Sequence, residues 1–142
     1  MNLYKCQLAK DHYFVTATCD NEAAKILECA LNKVEYGLSV HRNVISIETL
    51  RLNVRFAQDI KRKCKLFVVE GEVKVVDIPT DKYVIGRQFI IANTFDDAYV
   101  ASKFTKSTNT KIIGENETFT DRYKQDETYF GELGFIFKPV KN

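Results

Sequence analysis

An apolar strand that runs through a polar cap into an amphipathic helix occurs twice in this chain, about half a chain apart. Tyr13-Phe14-Val15-Thr16-Ala17-Thr18-Cys19-Asp20-Asn21-Glu22-Ala23 aligns without a gap against Gln88-Phe89-Ile90-Ile91-Ala92-Asn93-Thr94-Phe95-Asp96-Asp97-Ala98. Phe14 with Phe89, Ala17 with Ala92 and Ala23 with Ala98 are identical, Val15 with Ile90 is conservative, and both helices open on acidic residues. Two related halves follow from this, an internal repeat over 1–52 and 66–122 within a single domain 1–142. A duplicated small α+β unit builds one body with a surface for a partner more readily than a dedicated catalytic cleft.

The rest of the patterning agrees with that frame. Leu3 to Ala9 and Tyr13 to Thr18 are apolar runs around Lys10-Asp11-His12, a hairpin with its turn near Asp11. Asp20 is the expected N-cap of a helix whose apolar residues Ala23, Ile26, Leu27, Ala30, Leu31 and Val34 share one face, ending at Tyr36-Gly37. Val44 to Leu52 alternates at period two and completes a ββαβ unit. Further on, Lys65 to Glu70 and Val73 to Ile78 flank Glu70-Gly71-Glu72 as a second hairpin, and Tyr83 to Asn93 is another strand. Thr94-Phe95-Asp96-Asp97 resembles a capping box opening a shorter helix to about Lys106, with a weaker buried face because Ser102 and Thr105 occupy it. Thr110 to Ile113 and Glu117 to Arg122 are further strand candidates, and Phe135-Ile136-Phe137 closes the chain before Pro139. The expected fold is α+β, mainly antiparallel sheet with two helices, in two pseudo-symmetric ββαβ lobes.

Composition narrows the chemistry. At 142 residues and 45% apolar content the chain can bury a real core. Lys5, Lys10 and Asp11 break any apolar run near the start, and no stretch approaches the roughly 20 apolar residues of a membrane span, so no membrane association and a cytoplasmic location are expected. Cys6, Cys19, Cys29 and Cys64 lie far apart with no Cys-x-x-Cys spacing, which fits packed, reduced thiols better than a zinc site or disulfides. No cofactor or metal is implied.

Net charge is +2, yet residues 1–65 carry 11 Lys and Arg against 7 Asp and Glu while the remainder carries 10 against 12. The excess is concentrated in Arg51, Arg55, Lys61, Arg62, Lys63 and Lys65, opposed only by Asp59. Several cations on one surface could bind a nucleic acid by releasing its counterions, but Phe56 alone is there to stack on a base. The opposite feature is an acidic, aromatic stretch in which Phe119, Tyr123, Tyr129 and Phe130 are rimmed by Glu115, Glu117, Asp121, Asp126, Glu127 and Glu132. Aromatic anchors ringed by carboxylates suit a protein-binding patch. Catalysis has little support, since none of the phosphate-loop, dinucleotide, serine-hydrolase or zinc-protease signatures occurs. His12, His41 and Cys19 are the best candidate groups, and nothing nearby in sequence completes a nucleophile and base pair, so a non-enzymatic protein is expected.

Within the first 52 residues, the N-terminal hairpin, the Asp20-Asn21-Glu22-Ala23 helix start, Tyr36-Gly37 and His41-Arg42-Asn43-Val44-Ile45-Ser46-Ile47-Glu48 together resemble small bacteriophage accessory proteins with a ββαβ N-terminal unit. The resemblance implies no catalytic residues; taken with the small size, the missing catalytic motifs and the charge-rimmed aromatics, it leads to the expectation of a protein of the host-cell cytoplasm that binds and modulates or inhibits a host protein, with an anti-defence role such as anti-CRISPR activity. The alternative is a nucleic-acid-binding module using the basic run 51–65. Self-pairing into a homodimer through a sheet edge is a further expectation.

Overall fold

Short β-branched and aromatic runs separated by polar turns set the architecture, which in the computed structural model is sheet-rich α+β. The structure describes residues 1–32, 34–35, 38–39, 42–61, 63–77, 80–104, 106–116 and 134–140. In chain order the elements are β1 (Asn2–Gln7), β2 (His12–Ala17), α1 (Asp20–Leu31), β3 (Val34–Glu35), β4 (Leu38–Ser39), β5 (Ser46–Arg51), β6 (Arg55–Phe56), β7 (Lys65–Asp77), β8 (Thr80–Ala92), α2 (Phe95–Ser102), β9 (Lys106–Asn116) and β10 (Ile136–Pro139). The chain divides into two compact units, Met1–Asn53 with Asn116–Lys141, and Val54–Glu115. Neither described helix is long and apolar enough to cross a membrane.

In the first unit the strand order is β5-β1-β2-β10. β1 and β2 form the expected hairpin, antiparallel from Asn2↔Ala17 to Gln7↔His12. The Leu8 N–H donates to the Asp11 carbonyl at 2.8 Å, and the Gln7 side-chain amide donates to the Leu8 and Asp11 carbonyls at 2.9 and 3.1 Å, so the turn is held from both sides. Alternation sorts Tyr4, Cys6, Leu8, Tyr13, Val15 and Ala17 to one face, where Ala23, Ile26, Leu27 and Ala30 of α1 cover them. Thr16, fully buried, donates its N–H to the Phe135 carbonyl and accepts the Phe135 N–H on its hydroxyl at 2.8 Å, so its polar groups are satisfied where β10 joins β2.

Both ends of α1 differ from the sequence expectation. The N-cap is Cys19, in an extended conformation and without a side-chain cap bond; its carbonyl accepts the Ala23 N–H at 3.1 Å, and the Asp20 carboxylate accepts the Asn21 N–H. The helix stops at Leu31, short of Val34, which pairs instead in the small β3–β4 ladder. Side chains of the last turn bind the returning chain: Asn32 Oδ1 accepts the Arg42 N–H at 2.7 Å and Glu28 Oε1 accepts the Val44 N–H at 3.0 Å. Tyr36-Gly37 and His41 lie outside the described residues. β5 ends its strand order; Ile47 within it is half-buried, and Ile45, just before it, is exposed.

The second unit has the order β9-β7-β8-β6. Here Glu70-Gly71-Glu72 is not a turn. β7 runs straight through it and pairs with β8 over all thirteen of its residues, from Lys65↔Ala92 to Asp77↔Thr80. The physical reason is Phe104, which follows the left-handed Lys103 that ends α2 (φ 56°) and lies across the cross-strand pair Gly71↔Gly86. The glycine makes room for a ring and leaves the strand extended. Facing the same helix are Phe67, Val69, Ile90 and Ala92, against which Ala98 is fully buried. α2 ends at Ser102, before the expected Lys106, and Thr94 caps it as expected by accepting the Asp97 N–H at 3.2 Å. The basic stretch after Arg51 contributes β6, parallel to β8 at Arg55↔Ile90 and Phe56↔Ile91. Glu117 to Arg122 and Tyr129-Phe130 lie outside the described residues.

A Cβ at Gly71 would stand 2.4 Å from Cγ and 2.7 Å from Cβ of Phe104, atoms near the root of that side chain that cannot swing away. Gly71→Ala should therefore lower stability by about 1–3 kcal/mol through overpacking, read by urea denaturation. The same substitution in a Phe104→Ala background should cost much less; an equal cost in both backgrounds would show that the ring is not the obstacle.

Candidate functional site

The residues expected to bind a protein, Phe119, Tyr123, Tyr129 and Phe130, lie outside the described residues, as does Arg62 of the basic run. The remaining cations are divided. Arg51 belongs to β5 in the first unit, and Arg55, Lys61, Lys63 and Lys65 belong to the second. Lys61 and Lys63 are exposed on a loop held by Asn93, whose side chain accepts the Lys61 N–H at 2.9 Å and donates to the Asp59 carbonyl at 2.7 Å. Arg55 is committed elsewhere: its Nη1 donates to the Ala101 carbonyl at 3.0 Å. No basic residue lies in the last turn of α2, so this guanidinium supplies the positive charge that the negative end of the helix dipole favours.

That contact forms one wall of an open groove in the second unit, about 400 Å³ in volume. β6 and the residues after it provide Arg55, Phe56, Ala57 and Gln58, while α2 and its cap provide Asp97, Val100, Ala101 and Lys103. The floor is apolar, from Phe56, Ala57 and Ala101, and the charges lie toward the ends of α2. At 3.6 residues per turn, Ala98 and Ser102 point to the core and Val100 stands nearly opposite them, on the crest of the helix. The groove runs along one flank of that crest, with Phe95 and Tyr99 on the other. Exposure of these side chains is high: 74% for Val100, 50% for Phe95 and 49% for Tyr99. Phe95 is braced from beneath by an edge-on contact with Phe67, ring centroids 5.1 Å apart.

None of these α2 side chains is singled out by the sequence reading. A signal was nevertheless present: Phe95, Ala98, Tyr99 and Ser102 follow the i, i+3, i+4, i+7 spacing of one face, and Val100 is a further apolar residue on the opposite side that this face cannot hide.

Of the groups weighed for catalysis, His12 and Cys19 are among the described residues. His12 sits edge-on to Phe14 with centroids 5.4 Å apart, and partial burial, then the Lys5 charge, lower its pKa from the usual 6.5, with Asp11 acting weakly the other way. Burial pushes the Cys6 thiol up to about 12, reinforced by Glu28, and burial likewise raises Cys64 to about 12. Cys19 and Cys29 are exposed. Among the described residues no three His, Cys, Asp or Glu side chains gather as metal ligands.

Two outcomes follow from these environments. With a colorimetric thiol reagent at pH 8, Cys19 and Cys29 should react rapidly and Cys6 and Cys64 only after denaturation; fast reaction of all the thiols in the native protein would contradict their burial. As for pH, unfolded His12 takes up a proton below about 6.5 that the folded form resists, and unfolded Cys6 and Cys64 lose protons above about 9 that the folded forms keep. Stability should therefore fall on either side of that window, and His12→Gln should flatten the acid limb in chemical denaturation across pH. Comparison of the chain with protein-family models, with curated proteins and with solved structures finds no match in any of the three.

Proposed function

We propose that this chain is a non-enzymatic accessory protein, phage-encoded and acting in the cytoplasm of the host cell, that binds and modulates or inhibits a host protein, with an anti-defence role such as inhibition of a CRISPR nuclease as its specific form. The observation that carries the binding role is the crest of α2, where Tyr99 and Val100 offer apolar surface beside a groove. Large apolar side chains grouped on one short helix suit burial against a partner better than contact with water. The phage assignment rests on the resemblance of residues 1–52.

The two units are read as copies of one ββαβ plan. In each, a hairpin leads into a helix and then to a strand that pairs antiparallel with the first strand of the hairpin, β5 on β1 and β9 on β7. Several aligned positions support this reading. Ala17 and Ala92 each end a strand, Cys19 and Thr94 are the N-caps, and Ala23 and Ala98 are fully buried with N–H bonds of 3.1 Å to those caps. The fourth strands differ, β10 being antiparallel to β2 and β6 parallel to β8.

The test is capture of the tagged protein from bacterial lysate, with and without nuclease, beside the variants Tyr99→Ala and Val100→Asp. Both residues are exposed, so the fold should tolerate the changes within about 0.5 kcal/mol. Wild type should retain one stoichiometric protein after nuclease treatment, and the variants should lose about 2 kcal/mol or more of that affinity if they are central anchors. Material that vanishes with nuclease would instead select the nucleic-acid alternative, in which neutralising Lys61 and Lys63 should reduce the salt slope by about two phosphate contacts.

A further inference from the structure

The groove on the second unit is electrically polar along its length. Asp97, in the first turn of α2, marks one end, and Arg55 and Lys103, at its last carbonyls, mark the other. Six residues of helix separate Asp97 from Lys103, which at 1.5 Å per residue is about 9 Å. Between them lie Phe56, Ala57, Val100 and Ala101. The cations are not exhausted by the fold, since a guanidinium has five N–H donors and one nitrogen of Arg55 serves Ala101, while Lys103 is exposed.

We infer that this groove docks a flexible segment of the protein partner, in an extended polyproline II conformation, carrying a basic residue at one position, an acidic residue three positions later and an apolar side chain between them. This rests on the protein-binding function proposed above. A polyproline II chain advances about 3.1 Å per residue with three residues per turn, so side chains three apart emerge on one side about 9 Å from each other, the spacing of the groove's ends. The basic residue faces Asp97, the acidic one faces Arg55 and Lys103, and the apolar one lies on the Phe56 and Ala101 floor. The exposed Val100 and Tyr99 favour a macromolecule over a small zwitterion, because a small ligand would fill the groove and leave the crest of the helix in water.

The test uses the full ¹⁵N-labelled chain and the probe acetyl-Gly-Lys-Pro-Leu-Glu-Gly-amide, followed by amide chemical shifts. Binding should move the amides of residues lining the groove. Replacing the probe's Glu by Gln should weaken binding about threefold for wild type and not for Lys103→Asn, a change that keeps a residue tolerant of the left-handed conformation. Replacing the probe's Lys by Gln should behave likewise with Asp97→Asn. Absence of that coupling, shifts lying elsewhere, or equal binding of 6-aminohexanoate, which carries both charges without a peptide, would overturn the proposal. A nuclease-resistant host protein retained equally by wild type, Asp97→Asn and Lys103→Asn would also overturn it while leaving the proposed function standing. A chain that captures no protein but shows the peptide coupling would do the reverse.

Discussion

Everything in each unit hangs on a helix that must leave a strand within two residues and immediately lie back on the hairpin behind it. So tight a reversal leaves almost no distance between the helix's first turn and the sheet. The residue that meets the sheet there is an alanine in both units, Ala23 and Ala98, each fully buried and each donating to the carbonyl of its N-cap. A larger side chain would push the helix off the strands and expose the Tyr13, Val15 and Ala17 face or the Phe67, Ile90 and Ala92 face. The caps themselves are interchangeable by comparison: Thr94 satisfies a helix N–H with its hydroxyl, while Cys19 does not, and both helices form. Burial of one apolar face against a hairpin is worth more than a cap, which contributes about 1 kcal/mol.

The second unit carries an aromatic ring across its long hairpin. Phe104 lies on Gly71 and Gly86 and occupies surface that side chains would otherwise fill, so the long hairpin continues past the point at which a glycine between two glutamates would ordinarily turn. Lys103 must take a left-handed conformation to deliver that ring, at a cost of about 1–2 kcal/mol that the packing offsets. Arg55 then closes the end of the helix from the other side through the Ala101 carbonyl. The groove is a by-product of this arrangement: a parallel two-residue strand beside β8 and a helix ended by a left-handed residue leave a channel with an acid at one end and bases at the other.

Much of this was legible in the residues. Apolar periodicity placed the first hairpin, both helices and the closing Phe135-Ile136-Phe137 strand, because those patterns report which face is buried whatever buries it. Helix ends were less legible. Val34 fits the apolar face of α1, yet the helix stops at Leu31 because Asn32 and Glu28 bind backbone that returns ten and sixteen residues later, partners no local window contains. The candidate site was mostly illegible. Of its cations Arg55 stands in the basic run and Lys103 does not, and Val100 shows as surface only once Ala98 and Ser102 have claimed the opposite, buried side of α2.

The sequence by itself determined the two strand-to-helix stretches and the burial stripe of α1, since each depends on spacing along the chain. Only the tertiary structure decided that Gly71 continues a strand, that Arg55 caps a helix and that Val100 faces water beside a charged groove. Those outcomes depend on residues far apart in sequence competing for the same space, as Phe104 does above two glycines, and such competition is resolved by packing alone.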